Sequence, residues 1–195
     1  MRAKETPVRF PPFVRKLKRG PQVILPKDFG AIAGFTGIGK QSFCIDAGSG
    51  SGWLACMLGN ICGRVVSYEW REDFAKVAEG NVKRAGLDNV EIRVKDVFVG
   101  IDEKDADLVV LDLADSEKAV GHAYAALKKD GFLVGYLPHA EQVQRFVKAC
   151  AEAGFAEDNI FTIENIVREM LVRERGFRPD TKGLWHTAYL TFARK

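Results

Sequence analysis

Short apolar runs alternate along the chain with longer segments in which apolar residues recur at helical spacing. Three runs, at residues 64–69, 106–112 and 131–137, have the length and β-branched content of buried strands. Residues 71–85 instead place apolar side chains at three- and four-residue intervals, and Gly86 supplies a helix stop. Because parallel strands need crossover connections, usually helices, this order predicts an α/β fold with a mostly parallel, doubly wound sheet covered on both faces.

The remaining patterns complete the predicted sheet. We predict further strands at residues 42–45 and 90–94 and further helices at 53–58, 116–127 and 141–153, with Ser116 capping the second of these helices. Two late apolar runs, at residues 160–167 and 185–192, are expected to pair as a closing antiparallel hairpin. The expectation is a Rossmann-like, seven-stranded sheet with a C-terminal antiparallel hairpin. The connection at 168–184 is long and charged, and such loops are often functional.

Length and composition narrow the class of protein. The 195 residues, 47% hydrophobic and 28% charged, suit one domain with a short appendage. No apolar run approaches the roughly 20 residues that cross a bilayer, and the first residues lack the apolar stretch of a signal peptide. Membrane, secreted and fibrous classes are therefore disfavoured, and we expect a cytoplasmic domain. The four cysteines lack metal-ligand spacing, so we expect reduced, buried thiols and no metal site.

Charge is distributed unevenly along the chain. Residues 1–20 hold seven basic residues and one acidic residue, and residues 165–195 hold seven and three, whereas residues 21–164 are net acidic. We interpret residues 1–20 as a basic N-terminal arm and residues 21–195 as the main domain. Basic ends favour a polyanionic partner, because lysine and arginine release the counterions of phosphates. A solvated basic tail on an ordinary charged surface explains the same distribution.

The strongest local signal is the glycine-rich segment Asp46-Ala47-Gly48-Ser49-Gly50-Ser51-Gly52, which follows a predicted strand and opens a helix. Glycines at such a turn let backbone N–H groups approach a ligand closely. The spacing is G-x-G-x-G rather than the G-x-G-x-x-G of a dinucleotide site. The carboxylate of Asp46 suits a ligand with a cationic amino group and disfavours a pyrophosphate.

This segment resembles the nucleotide-binding loop of class I S-adenosylmethionine-dependent methyltransferases, and three further strand ends extend the resemblance. In that family an acid at the position of Glu69 receives both ribose hydroxyls, and one at the position of Asp96 receives the adenine amino group. Asp112 falls where the family places its catalytic loop. The resemblance implies an S-adenosylmethionine site formed by Gln22, Asp46, Ala47, Gly48, Ser49, Gly50, Gly52, Glu69, Trp70, Asp96, Val97 and Asp112.

Other segments resemble the tRNA adenine-N1 methyltransferases that modify positions 57 and 58 of the T-loop. They are residues 20–28 (GPQVILPKD), 111–113 (LDL), 136–138 (YLP), 142–143 (QV), 168–173 (REMLVR) and 183–190 (GLWHTAYL). This resemblance implies that Asp112 is the catalytic residue, accepting a hydrogen bond from the target adenine, and that Tyr136, Pro138 and His139 line the substrate pocket. It also implies a tRNA partner, a homotetramer and no metal ion.

The chain departs from that family at two places. Members carry a separate N-terminal domain, whereas only about twenty residues precede Gly20 here, so the basic arm substitutes for that domain or the RNA is not a tRNA. Leu25 stands where members often have histidine or tyrosine, and leucine cannot form a hydrogen bond.

Two other functions fit the same motifs. A small-molecule methyltransferase acting on corrin precursors (precorrins) would share the fold, the length and the lack of an RNA domain. A non-catalytic cofactor-binding subunit would keep the fold without turnover. Each acidic residue taken singly also has the simpler role of a helix cap, and Tyr136 that of core packing.

Overall fold

Five neighbouring parallel strands make up most of the sheet in a computed structural model that describes residues 10–20, 22–174, 176–180 and 186–195. In this part of the chain the strands are β1 Phe43–Ala47, β2 Arg64–Glu69, β3 Val90–Val94, β4 Ala106–Leu111, β5 Leu127–Leu137, β6 Ile160–Glu164, β7 Met170–Arg173, β8 Gly176–Pro179 and β9 Tyr189–Arg194. The main sheet has seven strands in the order β3-β2-β1-β4-β5-β9-β6, with β9 antiparallel to both of its neighbours. The predicted Rossmann-like sheet with its closing antiparallel pair is confirmed.

Helices cover both faces of this sheet. They are α1 Pro12–Arg15, α2 Pro26–Thr36, α3 Trp53–Gly59, α4 Glu72–Ala85, α5 Val120–Ala126 and α6 Ala140–Ala153. The strands send alternate side chains to the two cores, because successive residues of a strand point to opposite faces. Leu108 and Val110 of β4 join the core beneath α1–α3, whereas Val109 and Leu111 join the core beneath α5 and α6.

Helix α4 begins one residue after the predicted start, at Glu72, and ends at the predicted residue. Its last residue is Ala85, and Gly86 follows in the left-handed conformation with φ of 70°. The amide of Gly86 donates to the carbonyl of Lys83, which closes the final turn.

The prediction that Ser116 caps an α-helix was wrong. Residues Ser116–Ala119 form a 3-10 turn, and the α-helix starts only at Val120. Ser116 makes no cap hydrogen bond, and its buried Oγ has no partner within the described part of the chain. The serine lies inside the turn rather than before it, so its side chain packs instead of accepting from the helix amides.

Two features were not predicted from the sequence. Helix α2 contains Gly30 and Gly34, which weaken the helical signal, yet Pro26 at its first position and packing of Ile32 against the sheet stabilise it. The charged connection after β6 contains the small β7–β8 hairpin. Of the predicted strand 185–192, residue 185 lies outside the described residues, and β9 runs from Tyr189 to Arg194.

The described part of the predicted basic arm packs onto the domain. Val14 and Leu17 are buried in the core beneath α1–α3, and Trp53 donates from Nε1 to the carbonyl of Lys18 at 3.0 Å. The division at residue 20 stays a prediction.

The structure also gives the state of the cysteines, the grouping of possible metal ligands and the lengths of the apolar helices. Cys44, Cys56, Cys62 and Cys150 are free and buried, as predicted. Among the described residues, no group of histidine, cysteine, aspartate or glutamate side chains is arranged to hold a metal ion. Within the same ranges, no helix has the length and apolar character needed to cross a membrane.

Candidate active site

A cavity of about 340 Å³ lies at the carboxyl ends of the central parallel strands. Open α/β sheets bind ligands at this edge, because the loops that leave parallel strands converge there. Eight of the twelve predicted cofactor residues line the cavity: Gln22, Gly48, Gly50, Glu69, Trp70, Asp96, Val97 and Asp112. Asp46, Ala47, Ser49 and Gly52 belong to the same strand and loop and are buried behind this lining.

Backbone hydrogen bonds fix the glycine-rich loop against its neighbours. The amides of Gly48 and Ser49 both donate to the carbonyl of Tyr68 at 2.9 Å, which continues the β1–β2 pairing into the loop. On the other side, the amide of Asp112 donates to the carbonyl of Ala47 at 2.9 Å. The loop is therefore held between the ends of β2 and β4.

Close approach explains the first and third glycines of the loop. Gly48 has φ of 96°, and a Cβ there would meet the backbone carbonyl of Asp112. Gly52 has φ of 75°, and its Cβ would lie 2.9 Å from the Cβ of Ala78 on α4. Any other residue at either position would have to move its neighbours as well as adopt an unfavourable conformation.

Asp46 is the most buried acid of the site, with 1% of its surface exposed. Its Oδ2 accepts from Ser67 Oγ at 2.6 Å, but Oδ1 has no partner among the described residues. Burial, together with the charge of Glu69, raises the pKa of Asp46 to about 6. A buried carboxylate oxygen left unpaired is unfavourable, so the site favours a ligand that brings a cationic donor.

Asp112 has a similarly shifted acidity. Burial raises its pKa to about 7, and the neighbouring charge of Asp46 acts in the same direction. Neighbouring buried carboxylates whose pKa values are raised gain stability when a cation binds near them. The same arrangement makes Asp112 a strong hydrogen-bond acceptor once it is ionised.

Glu69 is held by Arg71, a residue that the sequence analysis did not single out. Oε1 of Glu69 accepts from the Arg71 amide at 3.1 Å and from Arg71 Nε at 3.0 Å, while Oε2 accepts from the amide of Gly50 at 2.9 Å. The guanidinium also lies over the ring of Phe74, 3.7 Å from its centre. Arg71 thus occupies the carboxylate that the sequence analysis assigned to a ribose. The only sequence signal was a basic residue two positions after the acid.

The far end of the cavity is formed by the loop after β3. Asp96 is exposed and accepts from the amide of Phe98 at 2.9 Å, and Val97 is buried beside it. Beneath this loop, Tyr68 donates to Glu103 and accepts from the amide of Asp102 at 3.1 Å. Burial, mainly, raises the pKa of Tyr68 to about 12, so the hydroxyl stays protonated as a donor. Trp70 stands at the rim with 66% of its surface exposed.

The three predicted substrate residues lie beyond this cavity lining, at the end of β5 (Tyr136) and directly after it (Pro138 and His139). Tyr136 is largely buried, and burial raises its pKa, with the nearby charges of Asp28 and Asp112 acting in the same direction. The carbonyl of Pro138 lies 2.9 Å from Nε2 of His186, and the amide of His139 donates to Gln142 Oε1 at 3.1 Å at the start of α6. Their role in substrate binding stays a prediction.

A buried polar cluster that sequence reasoning missed lies next to Tyr136. Lys27 Nζ donates to Asp28 Oδ1 at 2.7 Å, to Thr187 Oγ1 at 2.7 Å and to the carbonyl of Asn165 at 2.6 Å. Thr187 in turn donates to Asp28 Oδ2 at 2.9 Å. The Pro-Lys-Asp segment is a motif in the sequence, but only the fold shows that it links α2 to Thr187 before β9 and to Asn165 after β6.

Comparison with known proteins identifies a matching family and a similar protein of known name. Residues 13–180 match the family described as the tRNA methyltransferase complex GCD14 subunit. A protein of Methanocaldococcus jannaschii named tRNA (adenine(57)-N(1)/adenine(58)-N(1))-methyltransferase TrmI is 38% identical over 93% of this chain and 74% of its own.

Two solved structures share the fold closely. The tRNA (m1A58) methyltransferase TrmI from Aquifex aeolicus has a TM-score of 0.85 and 28% identity, over 94% of this chain and 74% of that one. A SAM-dependent O-methyltransferase from Thermotoga maritima has a TM-score of 0.88 and 34% identity, over 95% of this chain and 71% of that one.

Proposed function

Because the chain belongs to the family of the tRNA methyltransferase complex GCD14 subunit, we propose that it methylates N1 of adenine in tRNA, at position 57 or 58 of the T-loop. The methyl donor is S-adenosylmethionine. One observation carries the proposal. Asp46, Glu69 and Asp112 lie at the ends of three adjacent strands and share one site, in a chain whose residues 13–180 match this family.

The residues present fit the proposed cofactor. Asp46 supplies an unpaired carboxylate oxygen for an amino group, and Glu69 supplies two oxygens for two adjacent hydroxyls. Gly48 removes the side chain that would fill the space against Asp112. We assign Gln22 and residues 46–52 to the methionine part of the cofactor, Glu69 and Trp70 to the ribose, and Asp96 and Val97 to the adenine.

S-adenosylmethionine supplies a methyl group on a positively charged sulfur, with a neutral thioether as leaving group. Asp112, as a carboxylate, accepts a hydrogen bond from the exocyclic amino group of the target adenine, which makes the lone pair on N1 a better nucleophile. N1-methylation leaves the ring positively charged, and the carboxylate stabilises that charge as it develops. The protein otherwise acts by alignment, since holding the reacting groups in line removes much of the barrier. The target base has to leave its stack to reach Asp112.

The shifted acids predict how cofactor affinity depends on pH. Without ligand, Asp46 and Asp112 keep their protons up to about pH 6 and pH 7, respectively. Because both pKa values are raised above the usual 3.8, the free energy of unfolding of the ligand-free protein falls as pH rises from about 4 to 7. A bound cation favours the ionised forms, so affinity for S-adenosylmethionine is expected to rise between pH 5.5 and 8 and then level off. Calorimetric titrations at several pH values measure this change. Asp46→Asn should flatten the profile, and an affinity that falls with pH contradicts the assignment.

One experiment tests the proposed reaction directly. The protein is incubated with unmodified tRNA transcript and isotopically labelled S-adenosylmethionine, and the digested nucleosides are identified by mass spectrometry. We expect labelled N1-methyladenosine, located at position 57 or 58 by fragment mapping. Label in a small-molecule pool with none in RNA would favour the corrin-precursor alternative. Cofactor binding without any turnover would favour the non-catalytic subunit.

Two finer expectations accompany this function. The family resemblance supports a homotetramer, which sedimentation analysis of the purified protein tests. The proposed tRNA substrate supports a cytoplasmic location, which fractionation of the source cells tests.

A further inference from the structure

A row of exposed cations lies beside the cofactor cavity and takes no part in the site described above. Arg15, at the end of α1, and Lys16, Lys18 and Arg19, which follow it toward the cavity, are exposed. Residues 10–20 contain no acidic residue. Arg84, in the last turn of α4, is also exposed. It lies next to Lys18, since Arg84 Nη1 and the backbone amide of Lys18 both donate to Asn81 Oδ1.

The backbone of this basic segment is fixed by buried side chains. Asn81, fully buried on α4, accepts from the Lys18 amide at 2.8 Å and donates from Nδ2 to the Lys18 carbonyl at 2.8 Å. The same Nδ2 donates to the carbonyl of Ser51 at 2.7 Å, and Trp53 Nε1 reaches the Lys18 carbonyl. Since these contacts use the main chain of Lys18, its charged side chain stays free to face a ligand.

The segment is continuous with the cavity. The amide of Gly20 donates to Ser51 Oγ at 3.2 Å, and both Ser51 and Gln22 line the cavity wall. A ligand that lies along residues 15–19 therefore ends at the methionine side of the proposed cofactor site.

None of the five cations forms an ion pair with a carboxylate within the described ranges, whereas several basic residues elsewhere do. Five unpaired cations on an open surface bind a single small anion weakly, because water screens each contact. A polyanion gains from every contact by releasing its condensed counterions. The fixed backbone removes part of the ordering entropy that a loose tail would lose on binding.

We propose that Arg15, Lys16, Lys18, Arg19 and Arg84 form a phosphate-binding surface that holds the backbone of the RNA substrate next to the active site. This inference rests on the proposed function for the identity of the RNA. It assigns the holding of the RNA to the end of the basic N-terminal arm that packs onto the domain, together with Arg84 of α4.

Two variants of equal net charge test this surface. The surface variant replaces Arg15, Lys16, Lys18 and Arg84 by glutamine and spares Arg19, whose guanidinium lies 5.9 Å from the ring centre of Trp53. The control variant replaces the exposed Lys40, Lys104, Lys129 and Lys148 by glutamine. The first three of these control residues lie near the amino ends of β1, β4 and β5, at the edge of the sheet opposite the cavity.

Binding of unmodified tRNA transcript is measured by fluorescence anisotropy over a range of salt concentrations. We expect the surface variant to bind about tenfold or more weakly at 0.1 M salt, and the slope of log Kd against log salt to fall by about 3, since each lost phosphate contact removes about 0.7–0.9. The control should stay within about twofold of the unmodified protein. Cofactor affinity and melting temperature should match in all three proteins.

A surface variant that binds tRNA like the control overturns the proposal. Failure of the proposed function gives a different result, because the unmodified protein would then bind RNA without forming N1-methyladenosine. A surface variant with a lowered melting temperature and lost cofactor binding also counts against the proposal, since it would make these residues structural.

Discussion

Replacing Asp112 by asparagine is expected to slow methyl transfer by about 100-fold or more. Asparagine keeps the size of the side chain but removes the negative charge that stabilises the positively charged product ring. Removing a preorganised electrostatic contact of this kind typically lowers kcat by two to three orders of magnitude. Affinity for S-adenosylmethionine should change by less than about tenfold, because Asp46 and Glu69 remain in place. Single-turnover rates with saturating tRNA, together with calorimetry of cofactor binding, measure both quantities.

Asp115→Asn is the matched control for this substitution. Asp115 also lines the cavity, three residues further along the same loop, but it pairs with Lys118 at 2.7 Å and is half exposed. The control should keep its rate within a few-fold of the unmodified protein. If Asp112→Asn loses cofactor binding together with activity, Asp112 is a cofactor or folding residue rather than the catalytic one.

Substituting alanine for Gly48 is expected to weaken cofactor binding by about 100-fold or more. The new Cβ would be forced against the carbonyl of Asp112 at a backbone conformation that costs an L-residue about 1–2 kcal/mol even in open space. Relief of this contact requires the loop and the end of β4 to separate, which disrupts the hydrogen bond between Asp112 and Ala47. Calorimetric titration with S-adenosylmethionine at pH 8 measures the loss.

Gly86→Ala separates backbone strain from crowding. Gly86 has a similarly positive φ of 70°, but a Cβ there would meet nothing within 4 Å, and the residue ends α4 away from the cavity lining. This variant should lose stability by about 1 kcal/mol and keep its cofactor affinity. Equal cofactor affinities for the two variants would show that the close approach to Asp112 does not shape the site.

Local patterns predicted the part of the fold that carries the cofactor site. Strand β2, helix α4 and the glycine loop each have strong signals over a few neighbouring residues, namely apolar runs, helical spacing and a glycine stop. Since parallel strands deliver their ends to one edge, placing Glu69 and Asp112 at those ends was enough to predict that they share a site. The structure brings both to the same cavity.

What the sequence did not predict depends on contacts between distant segments. The ion pair of Arg71 with Glu69 and the unpaired oxygen of Asp46 become visible only when side-chain positions are known. Aspartate is usually exposed, yet Asp28 is fully buried, and Lys27 and Thr187 donate hydrogen bonds to its two oxygens. Helix α2 was missed for the same reason, since packing on the sheet stabilises it more than its glycine-containing sequence does.

Because β9 runs antiparallel to β5, the residues just before β9 lie at the same edge of the sheet as the carboxyl ends of the parallel strands. A strand that runs against its neighbours begins where they end, so Tyr189 is paired with Leu137 and the residues before it arrive at the same rim as the ends of the parallel strands. Thr187 and His186 thereby lie beside Tyr136 and Pro138. The cavity lining, by contrast, comes wholly from residues 22–115, so the last segment of the chain and the cavity can change independently of each other.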